Sequence, residues 1–164
     1  ELEVKADGTL DFPDEVLAEL DLVVASVHTG LRQERETLTR RALTAINNPY
    51  VNVLAHPTGR LLGRREGGDF DMEALMQAAA QTDTLLEINA ALARLDLRDT
   101  HARRAIELGV KLVINTDAHH PEDFNNMRFG VATAKRGWAT PADVANTLPA
   151  EEMEALVRRK REKG

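Results

Sequence analysis

Apolar runs rich in β-branched residues alternate along this chain with segments of helical periodicity. That alternation limits the possible folds more than any other feature of the sequence. The runs 22–26, 51–55, 84–88 and 110–114 read as buried strands. The segment 1–4 is compatible with the tail of a further strand, and Asp7-Gly8 follows it as a turn signal. Between the runs, Pro13 opens a short helix with Val16, Leu17 and Leu20 on one face. The segment 33–47 repeats Leu38, Ala42, Ala45 and Ile46 at helical spacing and is stopped by Asn47-Asn48-Pro49. Asp71 can cap a helix over 72–81 with Leu75, Met76 and Ala79 turned inward. Asp96 or Asp99 can cap the next helix, which runs to Leu108 and ends at Gly109. Strand, helix, strand, helix in repetition calls for parallel strands with helical crossovers, an α/β fold. The segment 121–135 is either one helix or a helix plus a short strand at 129–133. Thr140-Pro141-Ala142-Asp143 is a helix start, and a last helix after Pro149 turns Met153, Leu156 and Val157 to one side. The basic run 158–163 suits a helix C-terminus.

The polar residues punctuating these runs are consistent in kind. His28, His56, Asn89 and the pair Asp117 and His119 all stand where a strand stops and a loop begins. In a β/α barrel those ends share one face, and that face carries the chemistry. Singly, each residue has an ordinary alternative: a histidine satisfied by its surroundings, or an aspartate capping the helix that Pro121 begins. Together they make a set of imidazole and carboxylate donors. With no cysteine among the 164 residues, thiolate sites, disulfides and a cysteine nucleophile are excluded. The donors suit zinc, manganese or iron, which can polarise a phosphate ester and activate a water.

Other features are weaker. The loop 58–69 carries Gly59, Gly63, Gly67 and Gly68 with Arg60, Arg64 and Arg65 among them, a pattern able to grip phosphate or simply to stay solvated. His101 is expected on an exposed helix face, the side chain of His120 away from the site, and Trp138 in packing rather than base stacking. The formal charge of −6 argues against a surface coated by polyanions, though a cleft charged by metal ions can still bind phosphate. No apolar run approaches the roughly 20 residues of a membrane span, so no membrane partner is expected. The absence of cysteine fits a cytoplasmic location. The chain begins Glu-Leu-Glu-Val with no initiator methionine and has about five strand candidates against the eight of a complete barrel. The expectation is a barrel whose N-terminal side lies outside this sequence.

Five motifs, taken together, carry a resemblance: Ser26-Val27-His28, the stretch from Leu54-Ala55-His56 to Pro57-Thr58-Gly59-Arg60, Leu86-Glu87-Ile88-Asn89, Arg94-Leu95-Asp96-Leu97 and Asn115-Thr116-Asp117-Ala118-His119. Over nearly its whole length the chain resembles the polymerase and histidinol phosphatase (PHP) domain, and in particular the C-terminal PHP domain of bacterial family X DNA polymerases. Asn126-Met127-Arg128-Phe129-Gly130-Val131 and Arg136-Gly137-Trp138 point to the polymerase branch. The resemblance implies the C-terminal part of a distorted seven-stranded β/α barrel of metal-dependent hydrolase type. It also implies up to three divalent metals, manganese or zinc, at the strand ends. In that frame Glu1 resembles a bridging glutamate, His28 and His56 complete one metal site with it, Asp117 joins Glu1 at a second, and His119 serves a third. Histidines that the family places upstream of the glutamate are absent from this chain, which leaves two of the three sites short of ligands. Arg60, Arg64, Arg65 and Asn89 are the candidates for substrate phosphate. Asn89 is followed by Ala90 and Ala91 where the family commonly has Asn-Pro. The implied activity is a 3′–5′ exonuclease or 3′-end-processing phosphodiesterase acting on DNA beside polymerase core domains of the same natural chain. The alternatives are a non-catalytic scaffold and a small-molecule phosphatase of the histidinol phosphatase type.

Overall fold

A computed structural model describes residues 1–163. Five strands form one parallel sheet in sequence order: β1 (Leu2–Glu3), β2 (Val24–Ser26), β3 (Val53–Leu54), β4 (Leu85–Asn89) and β5 (Leu112–Asn115). Six α-helices accompany them: α1 (Asp14–Ala18), α2 (Arg35–Asn47), α3 (Met72–Thr82), α4 (Asp99–Glu107), α5 (Met127–Arg136) and α6 (Ala150–Lys163). The strand order never reverses, as in the winding of a β/α barrel, and β1 and β5 are the two edges of the sheet. Helices α2 to α5 pack each against the next.

Period-two alternation sorts the strand residues onto two faces. Ala25, Leu54, Leu86, Ile88, Leu112 and Ile114 face the main core, where they meet Leu38, Ile46, Leu75 and Met76 of α2 and α3. On the other face Val53, Leu85 and Val113 form a smaller apolar layer with Ala145 and Leu156. Further along the strands that second face turns polar through Ser26, Glu87, Asn89 and Asn115. The register Glu87 to Val113 and Asn89 to Asn115 sets these groups side by side. Thus β2, β4 and β5 are apolar at their start and polar at their C-terminal end on one face only.

Several expectations about the elements are corrected. Only Leu17 of α1 is buried, while Val16 and Leu20 are exposed, because five residues make little more than one turn. Asp71 caps α3 as expected, accepting from Ala74 N–H at 3.1 Å. Asp96 does not cap α4: the position before Asp99 is Arg98, and Asp96 is fully buried. The segment after Pro121 contains no strand: a 3-10 turn, Pro121–Asn126, leads straight into α5. Thr140-Pro141 opens only a 3-10 turn, closed by Asp143 accepting from both the N–H and the hydroxyl of Thr140. Trp138 is 68% exposed, with the Arg103 guanidinium stacked 3.6 Å above its ring, so it is not a packing residue of the core.

Two buried cations tie the elements together. Arg41 in α2 is 1% exposed and donates to the carbonyls of Val4, Lys5 and Thr29 and to Gln33 Oε1. It thereby fixes the chain on both sides of the β1–β2 pair. Replacing Arg41 with Met should leave the carbonyls of Val4 and Thr29 without this donor and lower stability by about 3 kcal/mol or more, read from urea denaturation.

Lys160 in α6 donates to Ile46 O, Val51 O and Thr84 Oγ1 and so pins the last helix across α2, β3 and β4. Burial pushes its ammonium down to about 7, against the pull of Asp83. From there up to the 10.5 of an ordinary lysine, the unfolded chain binds the proton more tightly than the folded one. Stability from this group therefore rises with pH through that window. The stability difference between the wild type and Lys160→Met should move in favour of the wild type between about pH 7 and about pH 10, measured by urea midpoints. A difference constant with pH would contradict it.

Candidate metal centre

Glu1, immediately before β1, and the segments that follow β2 and β3 bring three side chains to one point. Glu1 Oε1 lies 3.0 Å from His56 Nε2 and 3.1 Å from His28 Nε2. One donor atom from each of the three falls within 4.8 Å of the others. The two imidazoles sit with ring centroids 5.0 Å apart. No other group of three or more histidines, aspartates or glutamates is placed to hold a metal among the described residues. The hydrogen bonds of His28 and then His56 hold the Glu1 carboxyl well below the usual carboxylate range, although burial opposes them. The same contact with Glu1 raises His28, against burial and with help from Glu3. These hydrogen bonds thus favour the ionised carboxylate that a cation would need.

The set fits a divalent ion. It offers a carboxylate and two imidazole nitrogens, the donors that zinc and manganese accept. His56 is nearly fully buried, and its Nδ1 has no hydrogen-bond partner. The ring of His28 is oriented by a second carboxylate. Glu3 Oε2 meets His28 Nδ1 at 2.8 Å, and the Glu3 carboxylate also accepts the N–H of His28 and the N–H and hydroxyl of Thr29. Metal-binding histidines characteristically have such a partner on the other ring nitrogen. Burial pushes the Glu3 carboxyl up, but the bonds from Thr29 and His28 leave it lowered.

The loop after β3 is held in a particular shape. His56 has φ +28°, a region in which a residue with a side chain is strained. Its N–H donates to Glu87 Oε2 at 2.6 Å. Asp96 then accepts from the N–H of Thr58 at 3.0 Å and of Gly59 at 2.9 Å. Both acids are buried, and burial raises both. Arg60 donates to the carbonyls of Arg94 and Leu95, and Arg65 makes two bonds to Gly59 O. These two guanidinium groups tie the loop together, whereas Arg64 is exposed.

Asp117 and His119 stand apart from the three-residue cluster. Asp117, at φ +53°, accepts from Asn89 Nδ2 at 3.1 Å and faces Arg94 Nε at 3.3 Å. His119 is largely exposed, with Nδ1 2.8 Å from Asp117 O. His120 is exposed too and closes the following turn through Asp123. His101 departs from its expected exposure. It is half-buried, and burial with the nearby Arg98 and Arg60 pushes it down to about 4. Glu3, Glu87, Asp96 and Arg94 are residues to which the sequence reading gave no part in the site. The signals available were a charged residue inside an apolar run, at Glu87 between Leu86 and Ile88, and the presence of Glu87, Arg94 and Asp96 in the motifs that carry the resemblance.

No protein-family model matches the chain. Against curated proteins, it is 46% identical over 97% of its length to the DNA polymerase/3′-5′ exonuclease PolX of Bacillus subtilis, and it spans 28% of that protein. It is 28% identical over 96% of its length to a probable phosphatase of Thermoanaerobacter sp., spanning 66% of it. A probable phosphatase of Caldanaerobacter subterraneus is 30% identical over 69% of this chain and 46% of that one. The resemblance carried by the strand-end motifs is thereby borne out: over nearly its whole length this chain is similar to one segment of a PolX polymerase/exonuclease, as a PHP module of such a protein would be.

Proposed function

We propose that the chain is the C-terminal portion of a PHP domain, a metal-dependent phosphoesterase module that trims 3′ ends of DNA beside a polymerase core. The observation that carries this reading is the convergence of Glu1, beside β1, with His28 and His56 after β2 and β3. The sheet, open at β1 and β5, would be part of the distorted seven-stranded barrel. Glu1, His28 and His56 would hold one divalent ion, manganese or zinc. Glu1 and Asp117 would serve a second and His119 a third. Bound there, such ions polarise a phosphate ester and make a water more acidic.

The protein's own groups then have distinct tasks. Glu3 fixes the ring of His28 so that Nε2 points toward Glu1. Asn89, through its amide, and Arg94, through its guanidinium, hold the Asp117 carboxylate. Arg94 carries its charge on the Asp117 carboxylate rather than on carbonyls. Together with exposed Arg64 it would neutralise phosphate, while Arg60 and Arg65 keep the loop in shape. A charge-assisted hydrogen bond is worth about 1.5–3 kcal/mol, so Arg94→Ala should slow phosphodiester hydrolysis roughly 10- to 100-fold.

The probable phosphatases among the relatives favour a second reading, a small-molecule phosphatase. Manganese-dependent hydrolysis of 3′-labelled single-stranded DNA and of histidinol phosphate by the full-length protein separates the two. The expected result is release of nucleotides from DNA, lost in His56→Ala together with bound metal. Hydrolysis of the small ester alone would favour the second reading. Unchanged metal content and activity in His56→Ala would refute the site.

A further inference from the structure

We propose that Glu87 is a positioning residue that couples the two halves of the site, acting through the backbone of His56 and the amide of Asn89. The proposal deepens the metal-site reading above and rests on it. Glu87 lies within β4 on the polar stretch of the second sheet face and is 4% exposed. A carboxylate there is costly unless its oxygens are satisfied. Both of its oxygens are turned to the strand ends, those of β3 and β5 on either side and that of its own strand. Oε2 accepts the N–H of His56 at 2.6 Å and Asn89 Nδ2 at 3.2 Å, and Oε1 accepts Asn115 Nδ2 at 2.8 Å. Asn89 Nδ2 also donates to Asp117 Oδ2 at 3.1 Å, so one amide bridges the two carboxylates.

The contacts explain why the group is a glutamate rather than a neutral residue. Three donors converge on it, and an ionised carboxylate is the side chain of this length that only accepts. The bond to His56 N–H is made where that residue holds φ +28°. It therefore supports a backbone conformation that points the His56 ring at Glu1. Glu87 is not one of the converging donors itself: that group is Glu1, His28 and His56, and the Glu87 oxygens are taken by the N–H of His56 and the amides of Asn89 and Asn115. Partners of this kind typically govern metal affinity by about 10- to 100-fold when removed.

Glu87→Gln makes the test. The substituted side chain can still accept from His56 N–H, but its amide then faces the amide of Asn115, donor against donor. Adding Asn115→Asp restores an acceptor there. Mn²⁺ alone is titrated calorimetrically into the wild-type chain, Glu87→Gln, the Glu87→Gln/Asn115→Asp pair, His56→Ala and Leu75→Ala. Leu75→Ala truncates the main core on the other face of the sheet and reports the effect of lost stability alone. The expected result is at least about tenfold weaker Mn²⁺ binding in Glu87→Gln, with most of the loss regained in the pair. The imidazole NMR signals of His56 in the metal-free protein should move in Glu87→Gln and stay in place in Leu75→Ala. Binding within twofold of the wild type in Glu87→Gln would overturn the proposal. So would a loss no larger than that of Leu75→Ala at equal loss of stability. Should Glu87→Gln fail to fold, Glu87→Asp, which keeps the charge but draws the carboxylate back from the His56 N–H by one methylene, is judged by the same thresholds. Unweakened Mn²⁺ binding by His56→Ala would instead show that the metal-site reading itself had failed.

Discussion

A carboxylate inside a parallel sheet must be satisfied by its neighbours, and Glu87 is satisfied by all the strand ends within its reach. Its bonds to His56, Asn89 and Asn115 bind β3, β4 and β5 at the level where each strand gives way to a loop. Asp96 repeats the device one loop further on, holding the N–H groups of Thr58 and Gly59. The left-handed backbone at His56 persists because this polar layer over-determines it. Below the layer the same sheet face is apolar, so the site rests on packed side chains at Val53, Leu85 and Val113.

The donors are held from both sides. On the β1–β2 edge, Glu3 fixes His28 while buried Arg41 anchors the backbone of Val4, Lys5 and Thr29. On the β4–β5 edge, Asn89 and Arg94 fix Asp117. Sequence separation means little here: residues far apart along the chain meet because parallel strands wound in order present their C-terminal ends together. The crossover helices supply the spacing, and Lys160 locks the C-terminal helix α6 against the sheet.

Much of this was legible in the sequence. The strands announced themselves as β-branched runs, and His28, His56, Asn89, Asp117 and His119 stood out as polar groups immediately after them. Element ends were less legible. The face of α1 and the segment 129–133 were misread or left open because short periodic stretches carry little information. Trp138 looked like a packing residue by type, yet it lies on the surface under Arg103. Arg60, Arg64 and Arg65 were read as able to grip phosphate or to stay solvated, and only the folded loop brings Arg60 and Arg65 the carbonyls to which they donate. The supporting parts of Glu87, Asp96 and Glu3 passed unnoticed because a single acid carries no periodic signal, and only its partners reveal it.

By itself, the sequence determined the architecture and the chemical kind of site: alternating strand and helix patterns demand parallel strands, and residues at strand ends share a face. Tertiary structure decided which of those residues converge. It drew Glu1, His28 and His56 into one cluster, set Asp117 and His119 apart from it, and assigned the remaining acids to holding backbone. Convergence is a matter of ångströms between strands, set by register and by hydrogen bonds among groups remote in sequence. A one-dimensional pattern does not carry that information.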